Sequence, residues 1–249
     1  MNSRNAFGYQ DDLAYIHDAG FGFIAQHGAR DLMRRLRRSH GDSARIVELG
    51  CGSGISSEAL QEAGYEVVGY DLSASMIRIA RKRAPGVQFH CASFLDARLP
   101  ACDAITAFGE VFNYLFDGRN SHRELSKLVR RAFAALRPGG HFLFDLATLD
   151  RIPLAGVSHG FTETPEWACL YAAQGDRKKR ILTRTITTFR RHGHTFRRSY
   201  EVHRLYLPEA RDVLGALRDA GFTVRTLRGY GEYEFPRGLV GFAARRPAR

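Results

Sequence analysis

Across the first forty positions, apolar residues recur at helical spacing. Leu32, Met33 and Leu36 lie within "ARDLMRRLRRSHGDS" with arginines on the opposite face, and Gly41-Asp42-Ser43 supplies a stop. From Ala44 onward short apolar runs alternate with amphipathic segments. "ARIVELG" reads as a buried strand, and "SSEALQEAG" as a helix closed by Gly64. "YEVVGYD" is a second strand ending on Asp71, followed by the helix "SASMIRIARKRA", which stops at Pro85-Gly86. "VQFHCAS" and "CDAITAFG" read as third and fourth strands. In "SHRELSKLVRRAFAALRPGG", Leu125, Leu128, Ala132 and Leu136 form one helical stripe that Pro138-Gly139-Gly140 ends, and "HFLFDLAT" makes a fifth strand. Strands alternating with helices of about ten to fifteen residues predict an α/β fold with a doubly wound, mostly parallel sheet.

The period then changes. From Trp167 to Leu207 the pattern is β-type without helices, and "RILTRTITTFRR" and "TFRRSYEVHRLYL" flank the turn His192-Gly193-His194 as a hairpin. "PEARDVLGALRDAGF" returns to helix, and "TVRTLRGYG" and "GLVGFAARR" supply two last strands. The expectation is one α/β domain with an antiparallel β cap inserted after its fifth strand.

Composition narrows the class without naming a function. The chain has 249 residues, 44% hydrophobic and 25% charged, as an ordinary soluble globular protein has. No apolar run approaches the ~20 residues of a membrane helix, and the N-terminus lacks the apolar core of a signal peptide. Cys51, Cys91, Cys102 and Cys169 are scattered with no CxxC pair, which predicts free thiols and a cytoplasmic location. The formal net charge of +11 is carried almost wholly by arginine, lysine standing only at 82, 127, 178 and 179. Such a skew accompanies GC-rich coding, so the charge alone is a weak argument for nucleic acid.

The candidate chemistry begins after the first strand. Glu48-Leu49-Gly50-Cys51-Gly52-Ser53-Gly54 packs three glycines into five positions. In a sheet of this kind, ligands bind beyond the carboxyl ends of the strands, and glycines there permit positive φ and close backbone approach. The dinucleotide spacing G-x-G-x-x-G fails at Ile55, and a P-loop fails for want of a lysine.

The acid followed by G-x-G-x-G resembles the first motif of the class I S-adenosylmethionine-dependent methyltransferases. The likeness runs over roughly Ile46 to Leu146 and implies a Rossmann-like methyltransferase sheet with S-adenosylmethionine as cofactor. It implies that Glu48, Gly50, Cys51, Gly52 and Gly54 form the loop beneath the cofactor's amino-acid part. Asp71, seventeen residues after Gly54, would take the ribose hydroxyls, as a carboxylate can accept two hydrogen bonds from a cis-diol. Leu72 and Met76 would line the adenine. Ser93 and Phe94 follow the third strand where the family usually has Gly-Asp, a departure that leaves the adenine amino group to Ser93, Asp96 or a backbone carbonyl. "LRPGGHFLFDL" is similar to the family's lead into the fifth strand.

In this reading the chain is a single methyltransferase domain, 1–249. Residues 1–42 form a helical lid, 43–148 the cofactor-binding core, 160–208 the cap, and 209–249 the last helix and strands. The acceptor would lie beyond the fourth and fifth strands, where "FGEVFNYLFD" carries Phe108, Glu110, Phe112, Asn113, Tyr114 and Phe116. Phe108 is expected at the cofactor. Glu110 and Tyr114 are candidate catalytic residues, although an unshifted phenol near ~10 is a poor base. "NYL" with an inserted antiparallel sheet is similar to small-molecule enzymes that include amino-sugar N,N-dimethyltransferases. In the lid, Tyr9 and Tyr15 are candidates for the cofactor, Gly20 and Gly22 for hinges, and His17 for a base.

Arg184, Arg190, Arg198 and Arg204 alternate along the hairpin, as a half-solvated sheet face does and as a basic cap for an anionic substrate would. His192-Gly193-His194 has no further ligands in sequence, and no metal is expected. The expected partner is a small-molecule N or O acceptor, with a homodimer left open and no membrane. An RNA substrate is the alternative. It is disfavoured because the sequence has no recognisable RNA-binding module and no Pro-Pro-aromatic motif after the fourth strand. A non-catalytic cofactor-binding partner protein is the third reading.

Overall fold

A computed structural model describes residues 8–39, 43–154 and 156–248. The chain opens with two helices, α1 (Asp11–Gly20) and α2 (Phe23–Ser39). On α2 the expected stripe is present: Ala29, Leu32 and Leu36 are buried while Arg34, Arg37 and Arg38 face solvent. The stop read at Gly41-Asp42 lies outside the described residues.

The α/β alternation then follows the sequence pattern: β1 (Arg45–Leu49), α3 (Ile55–Glu62), β2 (Glu66–Asp71), α4 (Ala74–Arg83), β3 (Gln88–Cys91), β4 (Cys102–Ala107), α5 (His122–Ala135) and β5 (Leu136–Ala147). Hydroxyl caps start two of these helices: Ser73 accepts from Met76 N at 3.1 Å, and Ser121 from Glu124 N at 3.3 Å. Helix α5 stops short of the expected Pro-Gly-Gly. Pro138 disfavours helical backbone at Arg137, so the chain is already extended at Leu136, which pairs with Cys102 on β4.

The cap follows as β6 (Val157–Glu163), β7 (Trp167–Asp176), β8 (Ile181–His192) and β9 (Thr195–Tyr206). The chain closes with α6 (Ala210–Asp219), β10 (Thr223–Leu227), a short hairpin of β11 (Gly229–Tyr230) and β12 (Tyr233–Glu234), and β13 (Leu239–Arg245). That hairpin cuts short the run "TVRTLRGYG", where Gly231 turns the chain at φ +61.

The seven-stranded sheet has the order β10-β13-β5-β4-β1-β2-β3. Its β5 to β3 portion is parallel, and β13 and β10 add antiparallel strands at the other edge. Strand order reverses between β1 and β4, so the loops leaving these two strands face a common crevice. Helices cover both faces of the sheet with separate apolar clusters, one under α5 and α6 and the other under α2, α3 and α4.

The cap is a separate four-stranded antiparallel meander in the order β6-β7-β8-β9. Two seams fix it over the crevice. Asn113 donates to Ala147 O at 2.8 Å and to Tyr206 O at 2.7 Å, and Leu115 N donates to Arg204 O at 2.9 Å. On the other side, Leu13 and Ile16 of α1 pack against Trp167 and Cys169 of β7. The buried carboxylate of Asp12 holds Arg197, with Ser199 at 2.7 Å. Helix α1 therefore lies on the cap as much as on the core.

Candidate functional site

Each glycine after β1 has its own geometric reason. Gly50, Gly52 and Gly54 all have positive φ, at +69, +55 and +80. A Cβ on Gly50 would meet Val111 at 2.5 Å, and one on Gly54 would meet Ala80 at 3.0 Å, so these two let neighbouring elements close in. Gly52 is different: nothing lies within 4 Å of its Cβ position. It opens onto a cavity, and its backbone is free to approach a ligand there.

Two acids at this end hold the loop. Asp71 at the end of β2 accepts from Gly52 N at 2.9 Å and from Ser73 N at 2.8 Å. Each carboxylate oxygen keeps a further lone pair, and Asp71 lines the cavity. Glu48 lies below, buried, and accepts the Ser57 hydroxyl at the start of α3. Burial pushes both carboxyls above their ordinary range.

The cavity has a volume of about 530 Å³, within the usual range of small-molecule sites. Of the sequence candidates, His17, Gly50, Gly52, Asp71, Leu72, Met76, Ser93, Phe94, Phe108, Glu110 and Tyr114 line it. Glu48 and Cys51 line a recess of about 50 Å³ beneath the glycine loop. Gly54 reaches neither. Tyr15 does not line the cavity either: its ring lies under the Arg190 guanidinium, 3.7 Å from carbon to centroid, in the seam between α1 and the cap. The residue that α1's leader turns inward is Tyr9, at φ +60, whose hydroxyl lies 2.9 Å from that of Tyr114. Asp96 is exposed and paired with Arg119.

The far wall is cap. Alternation along β7 and β8 turns Cys169, Tyr171 and Ala173, and Leu182, Arg184 and Ile186, toward the cavity. The hairpin arginines therefore divide: Arg184 points inward, while Arg198 and Arg204 are exposed on the other face. Glu110, left-handed at φ +62, takes both of its hydrogen bonds from Arg184, at 2.6 and 3.0 Å. Burial alone would raise Glu110, but the Arg184 guanidinium overrides it and holds the carboxyl below its ordinary range. His17 is half-buried with a buried, unpartnered Nδ1, and desolvation lowers it to about 4, so its ring is neutral near pH 7. Burial raises the Tyr114 phenol.

Residues 46–140 match the family model described as a methyltransferase domain. That segment, from β1 to the start of β5, is similar to methyltransferase domains. The chain is 34% identical over 143 residues to a ubiquinone biosynthesis O-methyltransferase of Methylobacterium sp. (strain 4-46), covering 56% of this chain and 51% of that one, so it spans about half of that relative. Two solved structures superpose over nearly all of it. One is an S-adenosylmethionine-dependent methyltransferase from Clostridium acetobutylicum, with TM-score 0.77, 17% identity and coverage of 94% and 97%. The other is an S-adenosylmethionine-bound amino pentose methyltransferase from Micromonospora echinaspora, with TM-score 0.74, 22% identity and coverage of 97% and 98%. At such identities the likeness is one of fold.

Two residues of this site escaped the sequence reading. Asp145, in the apolar run "HFLFDLAT", is buried and accepts from Gly109 N at 2.9 Å, Glu110 N at 2.7 Å and the Tyr230 hydroxyl at 3.1 Å. It fixes the loop that aims Glu110, and burial raises it to about 7. An acid inside a buried strand was the available signal. Arg151 lines the cavity from the turn after β5, and nothing in its neighbourhood in sequence marks it.

Proposed function

We propose that this chain transfers a methyl group from S-adenosylmethionine to a nitrogen or oxygen of a small molecule. The observation that carries the reading is the continuity of one cavity, from Gly50, Gly52 and Asp71 at the core to Tyr171 and Arg184 under the cap. The residues fit the cofactor on this chain's own geometry: a glycine with open space over it, a cavity-lining carboxylate with free lone pairs, and apolar Leu72 and Met76 beside it. Gly50 and Gly52 would hold the amino-acid part, with Cys51 and Glu48 beneath, and Asp71 the ribose. Leu72, Met76, Ser93, Phe94 and Phe108 would enclose the rest. Gly54 serves by letting α3 pack on α4.

The cofactor supplies an already activated methyl group. What this chain contributes is alignment and exclusion of water. In the proposed roles Glu110 orients Arg184 rather than taking a proton, because the guanidinium engages both of its oxygens and keeps it ionised. Tyr114 and Tyr9 present hydroxyls to the acceptor. His17 offers an uncharged ring that accepts a hydrogen bond from an acceptor N–H or O–H. In this scheme residues 1–42 act as lid, 43–148 as cofactor core, 160–208 as cap, and 209–249 complete the sheet. No helix among the described residues is long and apolar enough to cross a membrane, and all four cysteines are free. Both facts suit the reducing cytoplasm.

Incubation with S-adenosylmethionine and a panel of small amines, acids and alcohols, beside structured RNA, tests the proposal through release of S-adenosylhomocysteine. Release with a small acceptor is expected; release with RNA alone would overturn the small-molecule assignment.

A further inference from the structure

The cap half of the cavity holds two guanidiniums and one available carboxylate. Three carboxylates line the cavity in all. Asp71 is engaged by the backbone of Gly52 and Ser73, and Asp117 by Arg119 at 2.7 Å. The third, Glu110, spends its hydrogen bonds on Arg184. Arg151 approaches the same carboxylate only as an ion pair, Nε lying 3.5 Å from Glu110 Oε1, and this buried Nε has no hydrogen-bond partner. A buried N–H without an acceptor is costly, and in this half two guanidiniums stand against the single carboxylate of Glu110.

Arg151 is also held in a built position. Gly238, at φ +80, lies so close that a Cβ there would stand 2.2 Å from Arg151 N. Its carbonyl accepts from Thr148 N at 2.8 Å, fixing the turn that carries Arg151. Between β5, which leads to Arg151, and β2, which ends on Asp71, lie β4 and β1. Three strand spacings set the ends of these two strands roughly 14 Å apart. An acceptor reaching from the cofactor end to Arg151 would thus present its far end there.

We propose that the methyl acceptor carries an oxyanion, a carboxylate or a phosphate, that docks on the Arg151 guanidinium beside Arg184. This rests on the methyltransferase reading above. Glu110 sets the division of labour: it locks Arg184 as part of the wall and leaves Arg151 to meet the ligand. The same excess of guanidinium over carboxylate disfavours an ammonium group in this half, so an amine acceptor would enter as its nucleophilic free base.

The test is a calorimetric titration with benzoate, phenyl phosphate and the neutral isostere benzamide. It is run on the free protein and on protein saturated with S-adenosylhomocysteine. At least one anion should bind tenfold or more tightly than benzamide. The preference should vanish in Arg151→Gln, survive in part in Arg151→Lys, and be unchanged in Arg198→Gln on the outer face. A stronger benzoate signal assigns a carboxylate, a stronger phenyl phosphate signal a phosphate. No preference for either anion, or a preference that persists in Arg151→Gln, overturns the proposal. Failure of S-adenosylhomocysteine to bind would instead count against the cofactor reading, while the titration of free protein still decides the anion site.

Discussion

The two halves of the cavity are built by different means. At the β1 and β2 end, backbone geometry does most of the work: Gly52 opens space, and Asp71 pins the loop through two N–H groups. At the cap end the work falls to side chains from distant parts of the chain. Glu110 after β4 meets Arg184 of β8 and Arg151 after β5, and Tyr114 faces Tyr9. The first half suits an invariant ligand, because a peptide backbone offers few ways to vary. The second half can be respecified by single substitutions. Asp145 joins them, since its carboxylate holds the β4 loop that carries Glu110.

The largest effect should come from breaking the cap end's ion pair. Glu110→Ala leaves the Arg184 charge in a wall where both side chains are at most 17% exposed. A loss of ~3–5 kcal/mol in urea unfolding is expected, as for other buried pairs stripped of one partner. A loss under ~1 kcal/mol would mean that this wall is solvated after all.

The junction comes next. Burial raises Asp145 to about 7, above its ordinary value, so the native chain keeps a proton that the unfolded chain has released. Its contribution to stability is therefore full below ~4 and lost as pH rises through about 7. Asparagine cannot titrate. The stability gap between wild type and Asp145→Asn should narrow by ~2–4 kcal/mol from pH 4 to 7.5, and a gap that widens would reverse the assignment.

The smallest effect distinguishes the two tyrosines of the lid. Tyr15→Leu should cost about 1 kcal/mol through loss of the Arg190 contact and leave S-adenosylhomocysteine affinity within about twofold. A tenfold loss of affinity would return Tyr15 to the cofactor site.

The contrast also explains how much could be read from sequence. The sheet and glycine loop were legible because positive φ after a buried strand demands glycine, and because Asp71 ends the second strand at a fixed spacing. The cap was legible as alternation along 181–206. Its partners were not, because period-two patterning tells which residues share a face and is silent on which face is covered. Arg184 and Arg204 look alike in sequence, yet the cavity takes only one. Asn113 stood in the sequence as one polar residue among aromatics, and only the fold shows that it stitches β5 to β9. Tyr15 and Tyr9 were candidates on equal terms until α1 turned one toward Arg190 and the other toward Tyr114.

The central claim is that the glycine loop and the cap enclose one cofactor-and-acceptor cavity, with Gly52 its open point. Calorimetric titration of S-adenosylhomocysteine into wild type and Gly52→Asp tests it most directly. Aspartate tolerates a left-handed backbone better than most residues, so the variant should fold while its side chain fills the opening beside Asp71. The prediction is one site per chain in wild type and at least a hundredfold weaker binding in the variant. Equal affinity in the two proteins, or no binding to wild type, would contradict it.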